Sequence, residues 1–185
     1  MPRNRRPQAA EEKRAEILAV AERLFAEVGY EKTSMAQLAA AAGVTPTTIY
    51  WYFEDKDALL VGVLDQIVGD AVGQLGALAE MPLVERMLWV VERLERYHNL
   101  VTVVHSRTTA SSRINEWHNN FHLLVETMLA QGLREAGFAE AEISARTTMG
   151  VFAVEGLLTH QLDGLDRRAL IELVTRNPAK SNPSS

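Results

Sequence analysis

The chain has 185 residues, of which 47% are hydrophobic and 23% are charged, and it contains no cysteine. This composition excludes an intrinsically disordered protein, a disulfide-stabilised scaffold and any chemistry that requires a thiolate. The formal net charge is −5, but it is unevenly distributed. Residues 1–56 hold eight basic and eight acidic side chains, and the remainder holds 11 basic and 16 acidic side chains. A nucleic-acid partner is therefore not excluded for the N-terminal part.

The basic N-terminus is predicted to be a mobile arm. Residues 1–10 contain two prolines and no apolar period, and Arg3, Arg5 and Arg6 lie among them. These arginines suit a narrow minor groove of DNA, and the alternative is a solubilising tail. No apolar h-region follows them and no apolar run approaches the ~18 residues of a membrane span. We therefore expect a cytoplasmic protein without a membrane partner.

The next segment is predicted to form two helices, and a turn is predicted after the second. Residues 11–28 have one apolar stripe and end at Gly29, which favours an amphipathic helix. Ser34 and Gln37 have the spacing of a capping box for a second helix. Gly43 then marks a position that favours positive φ, where that helix stops.

A third short helix is predicted directly after this turn. Thr45 can cap it and Pro46 suits its first turn. Ile49 and Phe53 point inward, whereas hydroxyl and aromatic groups occupy the other face. A helix-turn-helix whose last helix is built in this way fits the major groove of DNA.

The remaining chain is predicted to be helical over residues 56–78, 82–99, 101–111, 113–136, 141–162 and 166–176. The β-branched run at 101–104 would also fit a strand, and we assign it to a helix because its neighbours are helical. Helix 56–78 contains four glycines at positions 62, 69, 73 and 76. They indicate either a soft coupling element or close packing against a neighbour.

Residues 11–64 resemble the TetR family of bacterial transcription regulators. The similarity is carried by the segments Gly29-Tyr30, Thr33, Ala39-x3-Gly43-Val44-Thr45 and Ile49-Tyr50-x-Tyr52-Phe53-x2-Lys56-x2-Leu59. Position 47 is often Gly in the family and is Thr here. The resemblance implies an all-α fold with a basic arm and helix-turn-helix DNA-binding domain over 1–56. It also implies a helical effector-binding and dimerisation domain over 57–185.

The resemblance also assigns DNA contacts. It implies phosphate contacts at Thr33, Tyr50, Tyr52 and Lys56, and base contacts at Thr45, Pro46, Thr47, Thr48 and Trp51. The alternative is that residues 50–52 are core aromatics, but three consecutive helical residues span ~200°, so at least one must face outward. No arginine lies on this helix, so specificity is expected to depend on weaker contacts, DNA shape and the arm.

The C-terminal part offers candidate residues for a pocket and a dimer interface. An aromatic or lipophilic effector would suit a pocket lined by Trp89, Tyr97, His98, His105, Trp117, Phe121, His122 and Phe152. Each of these residues also fits an ordinary core. The family dimerises through its last two helices, which implies a homodimer through Met149, Phe152, Ala153, Gly156, Leu157, His160 and Leu170. The alternative is that this seam is wholly internal.

One further cluster has the spacing of a metal site. His118, His122 and Glu126 follow one another at four-residue spacing, which could present two imidazoles and a carboxylate to a metal ion. A polar helix face or pocket lining is the preferred interpretation, so no metal and no cofactor are expected.

Together these features predict a DNA-binding transcriptional regulator. We expect a dimeric repressor that binds a palindromic operator and is released by a small-molecule effector. The alternatives are a TetR-like activator and a helical adaptor protein without specific DNA binding. The chain has no Gly-rich phosphate loop and no nucleophile elbow, so an enzyme is not expected.

Overall fold

A computed structural model describes residues 5–159 and 166–177. The regular elements in this part of the chain are nine α-helices. In chain order they are α1 (Arg5–Glu27), α2 (Met35–Ala41), α3 (Pro46–Tyr52), α4 (Lys56–Ala77), α5 (Leu83–Glu95), α6 (His98–Arg107), α7 (Ser112–Glu135), α8 (Glu140–Thr159) and α9 (Arg167–Thr175). The predicted all-α fold is confirmed.

The predicted N-terminal arm is wrong from residue 5 onward. Helix α1 begins at Arg5, so residues 5–10 are helical and do not form an irregular arm. Pro7 is compatible with this start because the first N–H groups of a helix need no partner within the helix. Arg3 lies outside the described residues.

One predicted boundary also changes in the middle of the chain. The helix expected over 82–99 ends at Glu95, and a separate helix α6 starts at His98. The β-branched run at 101–104 lies inside α6, which confirms its helical assignment. The sequence predicts this break a few residues too late, between 99 and 101, because the apolar pattern continues past Glu95.

The chain forms two compact units. The first contains residues Met1–Asp70 and Asn99–Trp117, and the second contains Ala71–His98 and His118–Ser185. This division differs from the boundary after residue 56 expected from the sequence. Buried residues of the first unit explain the difference, because they come from α4, α6 and the start of α7 as well as from α1–α3: Ile17, Phe25, Leu38, Ile49, Leu59, Leu60, Val63, Leu100, Val104 and Ile114.

An ion pair inside the first unit joins residues that are distant in sequence. Arg107 donates two hydrogen bonds to the carboxylate of Asp57, with Nε 3.1 Å from Oδ1 and Nη2 2.9 Å from Oδ2. The hydroxyl of Tyr30 also donates to Asp57. This cluster connects the turn after α1 with the first turn of α4 and the end of α6.

The pKa values of this cluster report its strength. Burial acts to raise the pKa of Asp57, but hydrogen bonds from Arg107 and Tyr30 outweigh it and hold the pKa below its ordinary 3.8. Burial, followed by the hydrogen bond to Asp57, raises the pKa of Tyr30 above its ordinary 10.0. The Asp57 contribution to stability is therefore lost in acid and the Tyr30 contribution is lost in strong base.

The second unit has its own core. A cluster of buried apolar residues joins four of its helices and the loop before α8: Met87, Val91, Leu129, Leu133, Phe138, Ile143 and Ile171. Two ion pairs link α9 to α5, with Arg167 2.7 Å from Glu95 and Arg168 2.8 Å from Glu85. Asn177 donates from Nδ2 to the carbonyl oxygen of Gly137 at 2.9 Å, so the end of α9 is also tied to the end of α7.

The glycines of α4 have different environments. A Cβ atom at Gly62 would lie 2.9 Å from Cδ2 of Leu18 and 3.1 Å from Cε1 of Phe53, so a larger residue there would displace the end of the Leu18 side chain. Gly69, Gly73 and Gly76 have no such neighbour within 4 Å. Packing therefore explains Gly62, but it does not explain the other three.

Helix α4 is long and apolar enough for a membrane span, with 22 residues and a mean hydropathy of 1.4. The sequence-based expectation that no segment would reach this length and composition is therefore wrong. Six of its residues are buried, namely Leu59, Leu60, Gly62, Val63, Leu64 and Ile67. We interpret α4 as a core helix of the first unit, since its apolar side is covered by protein.

Replacing Asp57 by Asn is expected to lower the free energy of unfolding by about 2 kcal/mol at pH 7, because the charge-assisted bonds from Arg107 are lost. The folded-state pKa of Asp57 is depressed, so wild type keeps this advantage above pH 3.8 and loses it as the pH falls further. Urea denaturation at pH 7 and pH 3 measures both effects. The control is Glu54→Gln, which breaks the exposed pair with Arg113 and should cost less than about 1 kcal/mol. Equal losses for both variants would contradict the assigned role of Asp57.

Candidate DNA-binding site

Local hydrogen bonds define the two helices around the predicted turn. Ser34 accepts from the backbone N–H of Gln37 at 3.2 Å, and Gln37 accepts in return from the Ser34 N–H at 2.8 Å, which confirms the capping box. Gly43 has φ +64°, in the left-handed region that favours glycine. The capping box begins α2, and the turn at Gly43 follows its end and leads the chain to α3.

The start of α3 is also capped as predicted. Thr45 accepts from the backbone N–H of Thr48 at 3.2 Å, and their hydroxyl oxygens lie 2.9 Å apart. Pro46 occupies the first position of the helix. Pro46 and Thr47 are exposed. The N-terminal end of α3 therefore offers small polar groups to solvent.

Burial divides α3 into two faces. Ile49 is fully buried, whereas Tyr50 and Trp51 are 52% and 74% exposed. Tyr52 is partly buried and its ring packs edge-on against Trp51, with 4.7 Å between the ring centroids. The core-aromatic alternative therefore fails for Tyr50 and Trp51. The exposed face carries the side chains predicted to contact DNA.

The structure corrects the role expected for Thr33. Its side chain is only 2% exposed, and its hydroxyl donates to the carbonyl oxygen of Gly29 at 2.8 Å. A buried hydroxyl cannot reach a phosphate, so the Thr33 side chain instead closes the turn that follows α1.

Lys56 has a partly structural role. Its ammonium lies 3.0 Å from the carbonyl oxygen of Tyr30 and 3.2 Å from that of Thr33, and 4.1 Å from the centroid of the Tyr30 ring. Since an ammonium has three donors, one is left for a phosphate. The phosphate contact of Lys56 stays a prediction, as do the minor-groove contacts of Arg3, Arg5 and Arg6.

The predicted pocket residues are distributed over both compact units, and the pocket stays a prediction. His105 and Trp117 belong to the first unit, where Trp117 donates from Nε1 to Asp65 at 2.8 Å, and the other six belong to the second. His98 and His105 are exposed, and Phe152 is 67% exposed. Trp89, Tyr97, Phe121 and His122 are partly buried.

The second unit does contain a surface cavity of about 570 Å³, and its lining includes none of the predicted pocket residues. It lies beside Leu83, Val84 and Arg86 of α5 and Glu135 of α7. The sequence did not indicate this cavity because these lining residues are charged or aliphatic, whereas the predicted pocket residues are mostly aromatic.

Of the residues predicted for a dimer interface, two are strongly exposed. Met149 and Phe152 are 51% and 67% exposed on α8. Leu157 packs against the core of its own unit, so part of the predicted seam is internal. Ala153, Gly156 and Leu170 are partly buried, and His160 lies outside the described residues. Leu173 of α9, which the sequence did not single out, is 68% exposed.

Known proteins share this helix-turn-helix. The family profile described as "Bacterial regulatory proteins, tetR family" matches residues 17–63. Over 52 residues the chain is 52% identical to the HTH-type transcriptional regulator AcrR of Shigella flexneri, a match that covers 28% of this chain and 24% of AcrR. Over 183 residues it is 28% identical to the HTH-type transcriptional repressor AcnR of Corynebacterium diphtheriae, covering 93% of this chain and 94% of AcnR.

The fold of the whole chain is shared as well. The crystal structure of a transcriptional regulator from Rhodococcus sp. Rha1 matches it with a TM-score of 0.71 and 17% identity, over 88% of this chain and 93% of that one. The matches to the first curated relatives span only 24% to 30% of the length of those proteins.

The fold and the exposed face of α3 together define a helix-turn-helix unit. Residues 17–63 carry the profile of the TetR family of bacterial regulatory proteins. The curated relatives that match are named as transcriptional regulators.

Replacing Tyr50 by Phe is expected to weaken binding to all duplex sequences by about fivefold, because one hydroxyl–phosphate hydrogen bond of ~1 kcal/mol is lost. Fluorescence anisotropy at fixed salt, with a specific and a scrambled duplex, measures the effect. Tyr97→Phe makes the same chemical change in the second unit and should leave affinity unchanged. Equal affinities for Tyr50→Phe and wild type would show that this face does not dock on the phosphate backbone.

Proposed function

We propose that this protein is a dimeric repressor that binds a palindromic operator and leaves it when a small-molecule effector binds. The observation that carries the proposal is the exposed face of α3, where Tyr50 and Trp51 are 52% and 74% exposed in a helix-turn-helix of the TetR type. Large aromatic side chains left uncovered by the fold mark an interaction surface. The name of AcnR, the relative that aligns over almost the whole chain, supports repression over activation.

In the proposed complex, α3 enters the major groove. Pro46 and Thr47 at its N-terminal end face the base edges, where a threonine methyl can contact a thymine methyl. The hydroxyl of Tyr50 binds a phosphate, and the ring of Trp51 contacts bases. Since no arginine lies on α3, discrimination per base pair is weaker than an arginine–guanine pair provides.

A homodimer is supported by the apolar surface of the last two helices. Met149, Phe152 and Leu173 are each more than half exposed on α8 and α9. A two-fold contact would bury this surface on both copies. It would also place two α3 helices on one duplex, which a single short recognition helix requires for enough base contacts.

The effector is proposed to bind in the second unit. Trp89, Tyr97 and Phe121 are partly buried there on or beside α5 and α7. Aromatic side chains with polar edges suit an aromatic or lipophilic small molecule. The protein would act in the cytoplasm, where chromosomal DNA is accessible.

Helix α4 is the proposed link between effector binding and DNA release. The two compact units meet along the chain between Asp70 and Ala71, inside α4. Gly69 and Gly73 flank this point and have no neighbour that requires glycine, so they lower the cost of bending the helix there. The effector must bind the DNA-incompatible conformation more tightly, because only a difference in affinity shifts the equilibrium.

Selection of bound duplexes from a random pool tests the DNA-binding part of the proposal. Wild type should enrich a palindrome whose half-sites are one helical turn or more apart. Trp51→Ala should change the enriched bases within each half-site, whereas Leu123→Ala, a change of an exposed apolar residue on α7, should enrich the same palindrome. Enrichment of no sequence by the wild-type protein would support the adaptor alternative instead.

Replacing Phe152 by Glu is expected to convert the dimer to a monomer, because two carboxylates would be buried at a two-fold contact. Sedimentation equilibrium measures the mass, and the same samples should lose at least tenfold in operator affinity. Leu123→Glu introduces the same charge at an exposed position of α7 and should stay dimeric. A dimer that survives Phe152→Glu but not Leu123→Glu would place the interface elsewhere.

A further inference from the structure

We propose that the second unit contains a binding site for a divalent transition-metal ion, formed by His118 and His122 of α7 and Glu155 of α8. The site does not depend on the proposed regulatory function. The two histidines are one turn apart, so their imidazoles lie on the same side of α7. Glu155 faces them from a second helix.

Nε2 of His122 lies between two other atoms that can coordinate a metal. It is 3.1 Å from Nε2 of His118 and 3.2 Å from Oε1 of Glu155. Ligand atoms of a tetrahedral Zn²⁺ site with bonds of ~2.0–2.1 Å are about 3.4 Å apart. Both distances from His122 are therefore within a few tenths of an ångström of the spacing that a bound ion requires.

Nε2 of His122 has two potential hydrogen-bond partners. An imidazole nitrogen carries at most one hydrogen, so Nε2 of His122 can donate fully to His118 or to Glu155 but not to both. If His118 donates to His122 instead, the lone pair on Nε2 of His122 also lies 3.2 Å from the carboxylate oxygen Oε1 of Glu155. A cation among the three atoms would instead use a lone pair from each.

The chemistry of the ligand set indicates the class of ion. Two imidazoles and one carboxylate suit Zn²⁺, Co²⁺ or Ni²⁺, and disfavour Ca²⁺ and Mg²⁺, which prefer oxygen ligands. His118, His122 and Glu155 are partly buried, so the ligands are held by the fold and are still accessible to an ion. Three protein ligands leave a fourth position for water or another small ligand.

The carboxylate differs from the one expected from the sequence. Glu126 is exposed, because eight residues of an α-helix rotate the side chain by ~80° away from His118. Glu155 is 33 positions beyond His122 in the chain, and only the packing of α8 against α7 brings it to the imidazoles. Local spacing alone could not identify it.

Titration of untagged, chelator-treated protein with ZnCl₂ in a calorimeter tests the site. Wild type should bind one ion per chain. His122→Ala should weaken binding by more than about 100-fold, since loss of a direct ligand exceeds the 10–100-fold typical of second-shell losses. Glu155→Gln should weaken it at least about tenfold. Circular dichroism shows whether each variant keeps its helices.

Two matched changes serve as controls. Glu126→Gln removes a carboxylate from the same helix as the two histidines, and His98→Ala removes an exposed histidine elsewhere in the second unit. Both variant proteins should bind Zn²⁺ as wild type does. Co²⁺ added to wild type should give the intense visible absorption of a four-coordinate site, a test that needs no variant. Unchanged Zn²⁺ affinity in His122→Ala, or a six-coordinate Co²⁺ spectrum, would overturn the proposal. DNA is absent from every sample, so the outcome is independent of the proposed repressor function.

Discussion

Asp57 stands at the first turn of α4 and receives hydrogen bonds from Arg107 at the end of α6 and from Tyr30 just after α1. Lys56, its neighbour, binds the carbonyl oxygens of Tyr30 and Thr33. The segment between α1 and α2 is therefore fixed to α4 by charged groups that are mostly withdrawn from water. Such bonds are stronger than exposed ion pairs because competing water is excluded.

This anchoring matters for the DNA-binding face because α2 and α3 are only seven residues long. Helices of this length are not stable alone, and their position depends on caps and on tertiary contacts. The Ser34 and Thr45 caps set where each helix begins, and Ile49 holds α3 against the core. Tyr50 and Trp51 are then left outside, so the same packing that buries one side of α3 presents the other to a partner.

Helix α4 shows how one element can serve two purposes. Its first half is buried and contains Gly62, which packs closely against Leu18 and Phe53. Its second half contains three glycines without such neighbours, and the two compact units divide within it. A well-packed half followed by a half with three glycines suits the proposed role of α4 as the link between effector binding and DNA release. The proposed His118–His122–Glu155 site would give the second unit an inorganic ligand in addition to the proposed organic effector.

The sequence by itself determined the features that arise between near neighbours. The helix-turn-helix, the capping box at Ser34, the Thr45 cap, the turn at Gly43 and the outward face of α3 depend on residues within four positions of each other, where backbone geometry leaves few alternatives. Only the tertiary structure decided that Thr33 is buried, that Lys56 binds two backbone carbonyls, and that Asp57 pairs with Arg107. It likewise showed that the carboxylate beside His122 belongs to Glu155 and not to Glu126. These partners are 23 to 50 positions apart, and a periodic pattern carries no information about which distant side chains the packing of helices will bring together.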